Sequence, residues 1–561
     1  MLMAKAKDPS FWKKVRNDSA YSEIRALIRS WYDENRCDRL LCLPYKARMR
    51  FYSDGDRSEF QKAYYSCRTF LGSAAFLSLI YPEEETYLND VQECIWAICC
   101  EYSWALPAHT DGTLEDDLHR IDLFCAETGF TLAEICHVLE HRLDKLVLDR
   151  ARSEVRSRVI DNYINRRFGW ESNPTNWSAV CAGNVGGAMM YLEPEVFEKQ
   201  LPRLLDAMRC FLSGFPNDGT CLEGFGYWHY GFGNFLWFSD LLYQYTNGQT
   251  DLLTWEKVDA ISAYAQRTFL RGGTVVTNAD AGGEVKADRA MITYLHQRFP
   301  DRVQQLPKSL TTCCKRNLTW MYPLRSLIYA DHSADHTEFQ LQDVILPDAG
   351  QAVMHRKGYS FAIKAGHNHE PHNHNDVGSF ILSTDRGQIF CDLGSGLYTR
   401  QYFQDETRYG IFCNASLSHS VPIVNGQPQR YGDEYNGTIA ASGNRITVDF
   451  PGAYGQPQFR NLRRTVLCED GLVTLTDAFD PSYENLCDRF VTLHKPEVLA
   501  DRVLVNGVIL SFDRQNMSVS VKEVLHQPQN ASLPAQTVYC IDFELLPGLS
   551  DATFTFRITE D

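Results

Sequence analysis

The stretch GHNHEPHNHNDVGSF, residues 366–380, holds His367, His369, His372 and His374 within eight residues of a chain that has 16 histidines. Imidazole is the side chain that accepts or donates a proton near neutral pH and binds first-row metal ions. His372 and His374 are two apart, so on an extended segment both side chains face the same way. Asp392 closes the strand-like run GQIFCDLG and His419 sits in NASLSHSVPIVNG, so hairpin folding brings a carboxylate and a further imidazole to the pair. Two imidazoles and a carboxylate suit zinc or another first-row divalent ion. A polar surface loop or an adventitious metal site is the bland alternative. The interleaved Asn368, Asn373, Asn375 and Asp376 favour a hydrogen-bonded, pre-organised loop.

Two stretches nearer the N-terminus also resist a packing explanation. SNPTNWSAVCAGNVGG puts Asn176 beside Trp177 at a predicted helix start, where Asn176 alone reads as an N-cap. NDGTCLEGFGYWHYGFGNF carries Glu223, Tyr227, His229 and Tyr230 among glycines, which imply close backbone approach or a turn presenting aromatic polar tips. Trp and Tyr so placed suit stacking on a sugar ring, while each tyrosine alone reads equally as a core or rim residue.

The elements that must hold these residues differ between the two halves. From about residue 10 to 330, apolar residues recur at three and four, as in SEIRALIRSWYDENR, LNDVQECIWAICCEYSWAL and EVFEKQLPRLLDAMRCFLSGF, which predicts helices. Past about residue 338 come short β-branched and aromatic runs, such as RRTVLCEDGLVTLTDAF and RVLVNGVILSFD. Turn signals separate them at Asp385, Arg386 and Gly387, at Asn425 with Gly426, at Asp470 with Gly471, and at Asn506 with Gly507. The expected architecture is an all-α domain over residues 1–335 and an antiparallel β-sandwich over 336–561, meeting near YADHSADHTEF.

At 561 residues the chain is too long for one core, and 44% apolar with 22% charged residues is a folded, globular balance. A net charge of −16 argues against a general nucleic-acid binder, so an anionic partner must be met by local basic groups. The stripe Arg150, Arg152, Arg156, Arg158, Arg166 and Arg167 is one candidate, against the reading of a solvated helix face. The 18 cysteines form no paired CxxC pattern; with no signal-like N-terminus and no apolar run of membrane length, they point to a reducing cytoplasm and no membrane partner.

The blocks TNWSAV, DGTCLEGFGYWHYG, EPHNHNDVGSFIL, CDLGSGLYTRQYF, TRYG and SLSHSVPIVNGQPQ resemble, in order and rough spacing, the heparinase II/III-like polysaccharide lyases. The resemblance implies an incomplete (α/α) toroid followed by an antiparallel β-sandwich, and β-elimination at a uronic acid in an anionic polysaccharide. It implies that Asn176 neutralises the C5 carboxylate and that Tyr227 is acid and often base. It implies that His372 assists neutralisation or takes the proton, and that Tyr409 is a second active-site tyrosine as in alginate-degrading relatives. Trp177, Glu223, Tyr230, Arg400 and Arg408 are candidate substrate contacts, with Tyr230 open as the working tyrosine in place of Tyr227. His374, Asp392 and His419 match a structural zinc site, with manganese the alternative. His372 would then face substrate while His374 faces the metal, which requires a kink between them; His367 and His369 have no assigned role. The substrate is a glycosaminoglycan such as heparan sulfate, chondroitin or hyaluronan, or else alginate, and a homodimer is left open. The competing readings are a metal-dependent glycan hydrolase and a non-catalytic carbohydrate-binding protein.

Overall fold

The computed structural model describes residues 2–36, 43–282, 286–312, 320–331, 339–529 and 533–559. The expected junction near YADHSADHTEF lies mostly outside the described residues. The chain divides into two compact units, and both are discontinuous. One comprises Met1–Gly214, Trp228–Asp259 and Ala287–Thr337; the other comprises Phe215–Tyr227, Ala260–Lys286 and Glu338–Asp561.

The first unit is helical. The segments with three-and-four spacing form helices at Ser22–Asn35, Ser58–Ile80, Glu85–Cys99, Pro194–Ser213 and Gly233–Tyr245. At its centre Asn176–Leu192 is buried on nearly every side and packs against Leu123–Val138, Pro194–Ser213 and Gly233–Tyr245. Such a helix needs small residues, and a Cβ on Gly187 would lie 2.5 Å from the Phe130 ring. Asp122 caps Leu123–Val138 by accepting from the Cys125 amide. The arginine stripe is spent on acids of the same unit: Arg150 and Arg158 pair with Glu154, Arg152 with Glu140, Arg156 with Asp161 and Glu193, Arg166 with Glu115, and Arg167 with Glu171. It is a compensated helix face rather than the free basic patch considered from sequence.

The second unit carries antiparallel sheets of nine, five and four strands among the described residues. The turn dipeptides work as their chemistry demands. Val505 pairs with Val508 across Asn506 and Gly507, both at positive φ, and Glu469 pairs with Leu472 across Asp470 and Gly471. Strand Leu472–Phe479 alternates half-buried and buried residues, sending Val473, Leu475 and Phe479 inward. They join Phe380, Phe390, Phe490, Phe543, Phe554 and Phe556, whose rings pack at centroid distances of 4.9 to 6.1 Å. Each such side chain contributes roughly 1.5–3 kcal/mol by burial, which makes this core the anchor for the loops above it.

Candidate functional site

The histidine loop lies between strand Gly366–Asn368, the last member of the nine-stranded sheet, and strand Phe380–Thr384. Its asparagines do the work expected of them. Asn368 Nδ2 donates to Gln429 Oε1 and the Arg430 carbonyl, Asn373 Nδ2 to Asn375 Oδ1, and Asn375 Nδ2 to the Gln429 carbonyl. Lys364 Nζ, buried beneath the loop, donates to Asp376 at 2.6 Å and pairs with Glu370 at 3.0 Å. Burial pushes the Glu370 carboxyl up to about 7.

His372 and His374 do not share the face of an extended strand. His372 adopts φ 57°, a left-handed backbone rare for a residue with a Cβ, and this supplies the kink the resemblance requires. Both imidazoles reach the same carboxylate, Asp280, through different oxygens: His372 Nδ1 lies 2.7 Å from Oδ2 and His374 Nε2 lies 3.1 Å from Oδ1. Tyr398 Oη donates to Oδ2 at 2.8 Å; Tyr402 Oη and Arg408 Nη2 donate to Oδ1 at 2.5 and 3.3 Å. Burial alone would raise the Asp280 pKa, but these hydrogen bonds and the two imidazoles hold it well below the usual carboxylate range.

The tyrosine end of the site is built on the same carboxylate. The Tyr227 ring stacks on His372 with centroids 4.3 Å apart, and its hydroxyl is 2.9 Å from that of Tyr398. Tyr398 gives its one proton to Asp280, so its oxygen accepts, and Tyr227 must supply the hydrogen between them. Burial, then the charge of Asp280, raises the Tyr227 pKa above that of free tyrosine, which keeps it a phenol. Glu223 Oε2 is 3.8 Å from His372 Nε2. Gly224, at φ 91°, passes close to the Asp280 loop, where a Cβ would meet the Asn278 carbonyl at 2.7 Å. The expected close approach at the glycine cluster is thus realised here.

Behind this lies the candidate metal centre. The ligand atoms of His374, Asp392 and His419 all fall within 4.8 Å of one another, and all three residues are buried. Nδ1 of His374 and Nδ1 of His419 are buried without a hydrogen-bond partner among the described residues, although Asp392 Oδ2 approaches the latter to 3.0 Å. The opposite nitrogens are occupied, His374 Nε2 by Asp280 and His419 Nε2 by the Cys413 carbonyl at 3.2 Å. That arrangement turns both Nδ1 lone pairs inward beside a carboxylate, so the residues fit a divalent cation.

The remaining candidates are dispersed. Arg408 spends Nε and Nη1 on the carbonyls of Asn373 and Tyr402 as well as Nη2 on Asp280, so it braces the site from within. Tyr409, half-buried, accepts from Asn373 Nδ2 at 3.4 Å and stacks on Tyr431 at 4.6 Å. Arg400 is half-buried. His369 is exposed with its ring edge-on to Tyr431, and His367 accepts from the His369 amide. Asn176, Trp177 and Tyr230 belong to the helical unit. The N-cap there is Thr175, and Asn176 is the first helical residue, buried. Trp177 meets His109 edge-on, and the Tyr230 hydroxyl donates to Glu127 at 2.8 Å. Tyr230 follows Tyr227 through the π-helical turn Trp228–Phe232, so the two do not repeat at the spacing of a regular α-helix. Sequence reasoning missed Asp280, Tyr398 and Tyr402. The two tyrosines stood inside GLYTRQYF, a block already singled out, whereas Asp280 in TNADAGG gave no pattern.

Residues 342–482 match the family model described as Heparinase II/III-like, C-terminal. This part of the chain is similar to heparinase II/III-like C-terminal domains. No curated protein matches the sequence. Among solved structures, heparinase III aligns with a TM-score of 0.64 at 12% identity, covering 98% of this chain and 93% of that one. The heparan sulfate lyase HepC from Pedobacter heparinus aligns at 0.60 and 11%, covering 100% and 87%. The chondroitin AC lyase of Streptomyces coelicolor A3, solved with chondroitin sulphate, aligns at 0.59 and 11%, covering 99% and 82%. At these identities the likeness is one of fold, a helical part followed by antiparallel sheets. The heparinase II/III-like segment contains His372, His374, Asp392, Tyr398, Tyr402, Tyr409 and His419; Tyr227 and Asp280 precede it.

Proposed function

We propose that the protein is a polysaccharide lyase that cleaves a uronate-containing glycosaminoglycan by β-elimination, leaving a 4,5-unsaturated uronate end. The observation that carries this reading is the stacked pair of His372 and Tyr227, one with its Nδ1–H committed to Asp280 and the other held as a phenol. With Nδ1 occupied, Nε2 of His372 is the free acceptor, and it takes the C5 proton. The C5–H electron pair forms the C4–C5 double bond, the C4–O4 bond breaks, and Tyr227 gives its proton to O4. Acid and base each contribute roughly 10²–10⁴-fold in such steps. Asn176 keeps the role of carboxylate neutraliser and Tyr409 that of a second active-site tyrosine from the resemblance, with Trp177, Glu223, Tyr230 and Arg400 as candidate substrate contacts.

The triad of His374, Asp392 and His419 would hold zinc or manganese, which supplies a fixed positive charge and rigidity. Ligand burial supports a structural ion over a metal-water hydrolase. Among the described residues the cysteines are free and mostly buried, which supports work in a reducing compartment such as the cytoplasm.

The test is far-ultraviolet absorbance with time on heparan sulfate, chondroitin sulfate, hyaluronan, alginate and their oligosaccharides. A rise on one of them that Tyr227→Phe and His372→Ala abolish is the expected result. New reducing ends without a rise would replace elimination by hydrolysis.

A further inference from the structure

The two oxygens of Asp280 receive five side chains that belong to three different tasks. Oδ2 takes His372 Nδ1 and Tyr398 Oη; Oδ1 takes His374 Nε2, Tyr402 Oη and Arg408 Nη2. Tyr398 in turn meets the hydroxyl of Tyr227. We infer that Asp280 is a positioning residue that couples the His374–Asp392–His419 centre to His372 and Tyr227, so that a cation held there governs turnover without touching substrate.

The path has no slack. His374 presents Nδ1 to the cation position and Nε2 to Asp280, so a ligand on one nitrogen fixes where the other must point. Asp280 then fixes both the ring orientation and the tautomer of His372, leaving Nε2 as the acceptor. The loop bearing Asp280 is itself clamped. Ala279 beside it adopts φ 52°, and a Cβ on Gly394 would lie 2.5 Å from the Ala281 carbonyl. A carboxylate that only filled space would not need both histidines and both tyrosines on it.

The kinetic part of this inference rests on the lyase reading; the structural part does not. Asp280→Asn keeps the shape and removes the acceptor for one imidazole N–H. On whichever substrate the native protein converts to unsaturated ends, kcat is expected to fall about 100-fold or more with KM within about threefold, because positioning groups act on the step rather than on binding. Cation content by elemental analysis should stay that of the native protein. Without substrate, nitrogen-15 spectra of the imidazoles should show His372 protonated at Nδ1 in native protein and shifted toward Nε2 in the variant. Stripping the native protein with EDTA should perturb the same His372 signal, and this arm serves if the variant does not fold. A kcat within threefold of native, or a His372 signal indifferent to both Asp280→Asn and EDTA, would overturn the inference. If no glycan is converted but the His372 signal responds as described, the lyase reading fails and the coupling stands.

Discussion

The arginine stripe of the helical unit and the histidine loop of the sheet-bearing unit are the two most chemically loaded stretches of the chain, and the fold treats them in opposite ways. Each arginine of the stripe has an acid of its own unit beside it, at the surface, where such pairs are worth about 0–1 kcal/mol. The imidazoles of His372 and His374 instead converge on one buried carboxylate shared with two tyrosines and an arginine. Density of functional groups does not mark a site; the sharing of a single buried partner does.

Substitution should separate the two regions sharply. Tyr227→Phe or His372→Ala is expected to lower the elimination rate by roughly 10²–10⁴-fold with unchanged circular dichroism. An activity within tenfold of native would place the chemistry elsewhere. His419→Ala should abolish stoichiometric cation binding and leave Asp392 buried without its partner, at a cost of about 3 kcal/mol or more in urea unfolding. A variant that keeps its cation would show the triad is not the centre.

Glu127 of the helical unit departs from the pattern of the stripe. Glu127 accepts from Tyr230, and burial raises its carboxyl from 4.5 to about 7. A raised folded value favours the neutral acid in the native state. Its contribution is therefore complete below about pH 4.5 and is lost as pH rises through about 7. Part of the side chain reaches solvent, so the loss is of order 1–2 kcal/mol, and Glu127→Gln should flatten that portion of the stability–pH curve. Smallest of all, Arg152→Ala and Arg167→Ala should each change stability by no more than about 0.5 kcal/mol and leave KM for the polyanion unchanged. A raised KM would return the stripe to the substrate path.

Much of the fold was legible because its signals are local. Three-and-four spacing located the long helices, and Asn506–Gly507 and Asp470–Gly471 located hairpins, since few other residues accept the positive φ of Asn506, Gly507 and Gly471. The convergence of His374, Asp392 and His419 was also anticipated, but the hairpin route holds only between His374 and Asp392; short helical turns, not a hairpin, lead from Asp392 to His419. The same-face reading of His372 and His374 failed because His372 takes a left-handed backbone that no spacing rule encodes. Asp280 was invisible for a different reason. Its partners follow it by 92, 94, 118, 122 and 128 residues, and nothing in TNADAGG distinguishes a hub from a turn. The discontinuity of the units was hidden in the same way, since periodicity reports neighbours along the chain and not segments that return to another unit.

That discontinuity bears on inheritance. The heparinase II/III-like segment carries His372 and His374, yet the carboxylate that both imidazoles reach and the tyrosine that stacks on one arrive from Ala260–Lys286 and Phe215–Tyr227. A recombination event that cut the gene once between helices and sheets would transplant the imidazoles without their orientation. The site can therefore be passed on only with both halves together, and drift in the helical part is constrained by the two short segments it lends.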